Sequence, residues 1–187
     1  MKNAIILHGN PGKKLSYDPS FPSASNYYWL PWLQKQLTIN EVPTETPEVP
    51  YMWKLDYSQW QRTLDRFLVD KNTILVGHSC GAGFFIRWLS ENGAAKVGKI
   101  YLVAPWLDAS HPDSLDFFDF DIDPDLADRT GGITIINSDD DYETIQKSVK
   151  NIREKIKNVQ YKELHGYGHF YDDRRMEFPE LLAEILS

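Results

Sequence analysis

The chain has 187 residues, 20 Lys and Arg against 27 Asp and Glu, a formal net charge of -7 and 42% hydrophobic residues. Such a length predicts one domain, residues 1–187, with a continuous core. The acidic balance argues against a nucleic-acid surface, which needs a basic field. Cys80 is the only cysteine, so an intrachain disulfide and a cysteine-rich metal site are excluded and a reducing, cytoplasmic setting is expected; no stretch is apolar for long enough to predict membrane insertion.

Ala4 to Leu7 predicts a short buried strand ending at His8-Gly9-Asn10-Pro11-Gly12. The backbone N–H of Gly9 or Asn10 is a candidate oxyanion donor, because hydrolases on parallel sheets take one donor from the loop after an early strand. His8 is expected to be a structural hydrogen-bonding residue. Lys13 to Asn26, interrupted by Pro19 and Pro22, predicts a surface loop. Apolar spacing then predicts a helix from Ser25 or Leu30 to Leu37, with Pro31 in its first turn. Tyr28 and Trp29 follow the loop expected to overhang the site and are candidates for a pocket wall as well as for core packing. Ile39 to Val42 suggests a second strand, followed by an extended connection through Pro43, Pro47 and Pro50. Tyr57 to Val69 regains a helical stripe of Trp60, Leu64, Phe67 and Leu68, with Asp56 placed to cap it.

Thr73 to Gly77 is a run of apolar and β-branched residues, which fits a strand covered on both faces. It enters Gly77-His78-Ser79-Cys80-Gly81, the G-x-S-x-G pattern, and a helix through Phe84 to Leu89 follows. Glycines on either side let strand and helix backbones approach while the serine occupies a strained apex. The Ser79 hydroxyl would project above the carboxyl edge of the sheet, beside unsatisfied helix N–H groups such as that of Cys80. The Cys80 sulfur is expected to be buried packing.

Further strands are predicted at Lys99 to Ala104, Gly132 to Asn137 and Val159 to Leu164, with helices at Tyr142 to Lys157 and Phe178 to Leu186. Pro105 and Trp106 would lie at the same sheet edge as Ser79 and shape an acyl or leaving-group pocket. Asp108 to Asp128 holds eight aspartates among Phe117, Phe118, Phe120 and Ile122, a mixture expected to form a short acidic cap without an EF-hand pattern. Alternation of strand and helix predicts an α/β, three-layer fold with a mainly parallel central sheet.

A serine hydroxyl needs a base, and the base needs an orienting acid. His169, after Gly166-Tyr167-Gly168, is the preferred base over His165; Asp141 is the preferred acid, with Asp139 and Asp140 as neighbouring competitors. The chain order Ser, Asp, His is that of α/β hydrolases.

These landmarks carry a resemblance. His8-Gly9-Asn10, Tyr28-Trp29-Leu30-Pro31-Trp32-Leu33, Gly77-His78-Ser79-Cys80-Gly81, Ser138-Asp139-Asp140-Asp141 and Gly168-His169-Phe170 make the chain similar to the small alpha/beta-hydrolase family of YdeN-like and retinoblastoma-binding serine hydrolases. The resemblance implies a compact hydrolase with little or no separate cap and with Ser79, Asp141 and His169 as its triad. In that family the acid lies three residues beyond the small residue matching Ser138, which selects Asp141. Pro11 to Ser25 departs from the family loop in being longer and less glycine-rich, and the usual apolar-proline ending after the acid is replaced around Glu143 to Ile145.

The expected activity is hydrolysis of small carboxylic esters through an acyl-enzyme, with no metal and no organic cofactor. Its partner would be a small acyl substrate, with nucleic acid and membrane insertion excluded and a protein partner unspecified. The same groups could act on thioesters or amides, and a catalytically weak protein-binding module is the alternative from another class.

Overall fold

A computed structural model describes residues 1–108, 116–171 and 176–187. Six strands, β1 (Asn3–Leu7), β2 (Thr44–Glu45), β3 (Thr73–His78), β4 (Ile100–Val103), β5 (Ile133–Ser138) and β6 (Gln160–Leu164), form one sheet in the order β2-β1-β3-β4-β5-β6. Every pairing is parallel. The helices are α1 (Gly12–Ser16), α2 (Leu30–Ile39), α3 (Tyr57–Leu64), α4 (Cys80–Glu91), α5 (Leu126–Arg129), α6 (Glu143–Lys155) and α7 (Pro179–Leu186).

The strand order and the right-handedness of parallel crossovers fix the layers. The connection from β1 to β2 through α2 runs one way along the sheet, whereas β2 to β3, β3 to β4 and β5 to β6 run the other way. Helix α2 therefore lies on one face and α3, α4 and α6 on the opposite face. Helix α7 packs on α2, and the Tyr101 hydroxyl of β4 donates to the Glu184 carbonyl of α7 at 2.9 Å. On the other face Trp60 of α3 meets Phe84 of α4, with ring centroids 5.6 Å apart. All of β3 is buried, as expected for a central strand sandwiched between helices, whereas the edge strand β6 is partly exposed.

Between β1 and β3 the chain departs in opposite directions, toward α2 and toward α4, and opens a crevice above their carboxyl ends. A topological switch of this kind is where parallel α/β sheets bind ligands. The loop beginning at His8 and the turn at Ser79 both lie there.

Three expectations of local structure are corrected. Ile39 to Val42 is not a strand: α2 continues to Ile39, which is 60% exposed, and Asn40 caps its end, with its side-chain amide donating to the Gln36 carbonyl at 2.8 Å. The strand forms two residues later, after Pro43, whose carbonyl accepts from Ala4 N at 2.9 Å. Helix α3 is capped by Asp56, which accepts from Gln59 N, but it stops at Leu64; Leu68, assigned to its buried stripe, is 80% exposed. Within Lys13 to Asn26, read as a loop, lie most of α1 and a 3-10 turn at Ala24–Asn26.

The acidic segment also differs from the expected cap. Residues 109–115 lie outside the described residues. From Asp116 the chain follows α4 toward its C-terminal end: Arg87 donates to the carbonyls of Asp116 and Phe117, Asp123 N donates to Ser90 Oγ, and Arg129 donates to the Leu89 carbonyl. Phe117 and Leu126 are buried in the core, and the basic groups of Arg129 and Lys157 pair with Asp123 and Asp125. This described part is a strap along α4, two of whose aspartates, Asp123 and Asp125, are paired with basic groups.

Candidate active site

Ser79 stands between β3 and α4 with φ 53° and ψ -116°, a conformation costing a non-glycine residue about 1–3 kcal/mol. The surrounding backbone enforces it. Ser79 N donates to the Val103 carbonyl at 2.9 Å, and the Ser79 carbonyl accepts from Gly83 N and Trp106 N, both at 3.1 Å. Gly81 is required by close approach, since a Cβ there would lie 2.6 Å from the His8 carbonyl oxygen and 2.7 Å from that of Leu7. The G-x-S-x-G spacing therefore does what was expected of it: α4 starts against the end of β1, and the first N–H groups of the helix, beginning with Cys80, are left without intrahelical acceptors beside the serine.

His169 Nε2 lies 2.9 Å from Ser79 Oγ, while its Nδ1 lies 2.8 and 3.1 Å from the two carboxylate oxygens of Asp141. Only a donor on Nδ1 can satisfy a carboxylate, so Nε2 presents its lone pair to the serine O–H. Asp141 Oδ1 also accepts from Tyr142 N at 2.7 Å, which fixes the carboxylate from its other side. The Asp141 side chain is fully buried and that of His169 nearly so, giving the pair little competition from water.

The three consecutive aspartates are separated by what they hold. Asp139 accepts from His165 Nδ1 at 2.8 Å and Gly166 N at 3.0 Å, and Asp140 accepts from Ser138 Oγ at 2.5 Å and Gly168 N at 2.7 Å. Each clamps a different residue of the loop after β6, and only Asp141 reaches His169. Gly168, at φ 53°, makes the left-handed step that turns the histidine inward. His165 points outward, with 84% of its side chain exposed.

Ser79 opens into a cleft of about 660 Å³ whose lining includes Asn10, Lys13, Trp53, Lys54 and Trp106. Gly9 lies beside the serine: a Cβ on it would be 3.1 Å from Ser79 Cβ. Of the residues expected to form a pocket wall, Trp106 does so, whereas Pro105 is buried at the end of β4. Trp29 is 2% exposed and packs edge-on against His78 and Phe178, so it belongs to the core. Tyr28 lines a smaller apolar recess with Gly9, His78 and Tyr171. Cys80 is fully buried and burial raises its thiol pKa, which leaves the sulfur protonated and inert. Among the described residues no three His, Cys, Asp or Glu side chains converge on a candidate metal site, and no helix is long and apolar enough to cross a membrane.

A family model described as serine hydrolase matches residues 19–182. The chain belongs to the serine hydrolase family. Among solved structures it is similar to the ydeN gene product of B. subtilis, at 24% identity and a TM-score of 0.82, covering 100% of this chain and 97% of that one. It is also similar to Est1E from Butyrivibrio proteoclasticus, at 14% identity and 0.62 over 99% and 86% of the two chains. A bromoperoxidase from Bacillus anthracis, at 16% and 0.64 over 99% and 91%, shares the fold too. These likenesses carry the architecture, which hosts more than one chemistry. No curated protein matches the chain significantly.

Around the serine hydrolase site lie His8, expected there as a structural hydrogen-bonding residue, and His78 and Tyr171, to which the sequence assigned no such place. His8 Nε2 accepts from Val49 N at 3.0 Å, which leaves Nδ1 to donate to the Gly9 carbonyl at 2.6 Å. This neutral imidazole ties the first loop to the segment after β2, the structural part expected of it, and holds the Gly9 backbone directly. His78 Nε2 donates to the His169 carbonyl at 3.0 Å and steadies the histidine loop from below. Tyr171 stacks on Tyr28 at 5.1 Å and stands edge-on to His169 at 4.7 Å, with its hydroxyl 3.1 Å from the position of a Cβ on Gly9. Its only sequence signal is that it follows His169 by two residues.

Burial, and next the neighbouring His169, lower the pKa of His78 to about 3; burial also lowers that of His8. In the unfolded chain both imidazoles titrate near 6.5, so below that pH the unfolded state binds more protons and stability falls as pH falls. His78 contributes a slope of about 1.4 kcal/mol per pH unit well below 6.5, which persists until pH nears 3, and His8 acts in the same direction. Urea denaturation between pH 7 and pH 5 should show this acid limb, and His78→Gln should make it shallower by about one proton. Identical slopes for the two proteins would mean that His78 is protonated in the native state.

Proposed function

We propose that the protein, as a single unit over residues 1–187, hydrolyses small carboxylic esters through an acyl-enzyme, with Ser79 as nucleophile, His169 as general base and acid, and Asp141 as the orienting acid. The observation that carries this reading is the continuous chain from the Ser79 hydroxyl through the imidazole to a buried carboxylate, at 2.9 and 2.8 Å.

As Ser79 Oγ attacks the ester carbonyl carbon, its proton passes to His169 Nε2, and Asp141 stabilises the imidazolium that forms. The N–H of Cys80 and that of Gly9 or Asn10 take the charge developing on the carbonyl oxygen. When the C–O bond to the alcohol breaks, His169 returns the proton to the leaving oxygen. Water then attacks the acyl-enzyme by the same route, releasing the carboxylic acid and restoring Ser79. Thioesters and amides present the same carbonyl to the same groups, with leaving groups that make different demands on His169. A protein-binding module with little turnover is disfavoured by the joined positions of the three side chains. Within the family, the sequence landmarks favour a place beside the YdeN-like and retinoblastoma-binding members.

A fluorophosphonate probe is expected to label the parent protein at one site and to leave Ser79→Ala unlabelled, with the circular dichroism of the two unchanged. Equal labelling of both proteins would remove Ser79 from its role.

A further inference from the structure

We propose that the ester this site selects carries a fixed negative charge, a carboxylate or an equivalent anion held a few bonds from the scissile carbonyl. This rests on the esterase reading above and adds its substrate class.

The chain as a whole repels anions, with a formal charge of -7. The cleft over Ser79 has the opposite character. Its only charged lining residues, among those described, are Lys13 and Lys54. Neither ammonium has a carboxylate partner within ion-pair distance among the described residues, and Lys54 Nζ instead sits 5.0 Å from the ring centre of Tyr51. Among the described residues four other lysines meet carboxylates, Lys147 with Glu143, Lys150 with Glu154, Lys157 with Asp125 and Lys162 with Glu184, and several surface lysines do not; what sets Lys13 and Lys54 apart is their shared place in the lining of the cleft over Ser79. Among the described residues the two cleft lysines thus form a positive site, without a carboxylate in the lining, in the cleft onto which Ser79 opens.

They come together by folding. Lys13 is on α1 and Lys54 on a 3-10 turn, Met52–Lys54, and these two elements pack on each other, with Ser16 Oγ 3.5 Å from Met52 Sδ. The turn is flanked by Tyr51 at φ 55° and Leu55 at φ 48°, both left-handed, so that Trp53, Lys54 and Leu55 all reach the cleft. Trp53 and Trp106 provide apolar wall for a carbon skeleton beside the two ammonium groups. A cationic mouth on an acidic protein also concentrates anionic substrate against the background field.

The test compares ester pairs that differ in one charge. For charge on the acyl side, para-nitrophenyl hydrogen adipate is set against para-nitrophenyl pentanoate; for charge on the alcohol side, para-acetoxyphenylacetate is set against para-methylphenyl acetate. At low salt, about 10 mM, kcat/KM should favour the anionic member of at least one pair by roughly tenfold, and the pair that responds identifies the side. The preference should shrink to less than about twofold at about 0.5 M salt. In the double variant Lys13→Glu, Lys54→Glu the ratio of anionic to neutral kcat/KM, each pair read within the same variant, should reverse; in the paired Lys→Gln variant the ratio should lie between. Equal rates for charged and neutral members in both pairs, or a preference that survives the double Glu variant, would overturn the proposal.

If no ester of either kind is turned over, the esterase reading fails by itself, and charge selection is then read by binding. Tryptophan fluorescence of Ser79→Ala should be quenched by methyl hydrogen adipate at concentrations at least about fivefold lower than by dimethyl adipate. Equal quenching, or none, would overturn the proposal independently of catalysis.

Discussion

Asp141→Asn is expected to lower kcat by about 10³ to 10⁴, whereas Asp139→Asn and Asp140→Asn should each change it by less than about tenfold. The carboxylate of Asp141 can only accept, so it holds the His169 proton on Nδ1 and leaves the Nε2 lone pair for the serine. An asparagine amide turned toward the ring donates instead; Nδ1 then accepts, the proton moves to Nε2, and the imidazole faces Ser79 Oγ with the wrong atom state for a base. Little else should change, because the amide has nearly the size of the carboxylate and Tyr142 N can still bond its oxygen. Asp139 and Asp140 bond His165, Ser138 and the loop backbone at Gly166 and Gly168, so their loss loosens the loop without altering the tautomer of His169. Initial-rate kinetics on a neutral ester decide the matter. A collapse at Asp140 with activity retained at Asp141 would move the acid by one residue.

Gly81→Ala is expected to destabilise the fold by about 3 kcal/mol and to lower kcat of the surviving folded protein by more than about tenfold. The added methyl would sit 2.6 and 2.7 Å from two carbonyl oxygens at the end of β1, and neither is a side chain able to rotate away. Helix α4 must therefore lift from β1. That movement shifts Ser79 and Cys80 relative to the Gly9 loop, separating the attacking oxygen from one set of oxyanion donors. Gly93→Ala is the control, since nothing lies within 4 Å of its Cβ position, and its effect should stay within about 0.5 kcal/mol. Urea midpoints together with kcat read both effects. A Gly81→Ala protein with parental stability and turnover would show that the close approach of strand and helix is dispensable.

Where local chemistry is decisive, the reading from sequence and the structure agree. The apolar run ending at Gly77 and the two glycines bracketing Ser79 demand a buried strand and a tight turn, because few other residues permit that backbone approach, and β3 and α4 meet there. Asp56 caps α3 as its position suggested. The misreadings fall where a local preference was outweighed. Ile39 to Val42 is read as a strand, but the preceding helix propagates to Ile39 and an asparagine ends it. The stripe of α3 was carried too far because apolar Leu68 continues the spacing, although nothing in the fold covers it.

The sequence by itself determined the alternating α/β plan, the place of Ser79 at the carboxyl edge and the order of serine, acid and histidine, since these follow from residue periodicity and from steric limits acting within a few residues. It could not decide among Asp139, Asp140 and Asp141 from their own chemistry, because past the end of β5 the two-residue alternation no longer says which side chain turns inward; that choice is made by the loop after β6 that each aspartate grips. The convergence of His78 and Tyr171 around His169, and of Lys13 and Lys54 over Ser79, is likewise a product of tertiary structure alone. It depends on the crevice where the connections after β1 and β3 part, which brings together loops distant in sequence whose residues have no mutual signal until the sheet is assembled.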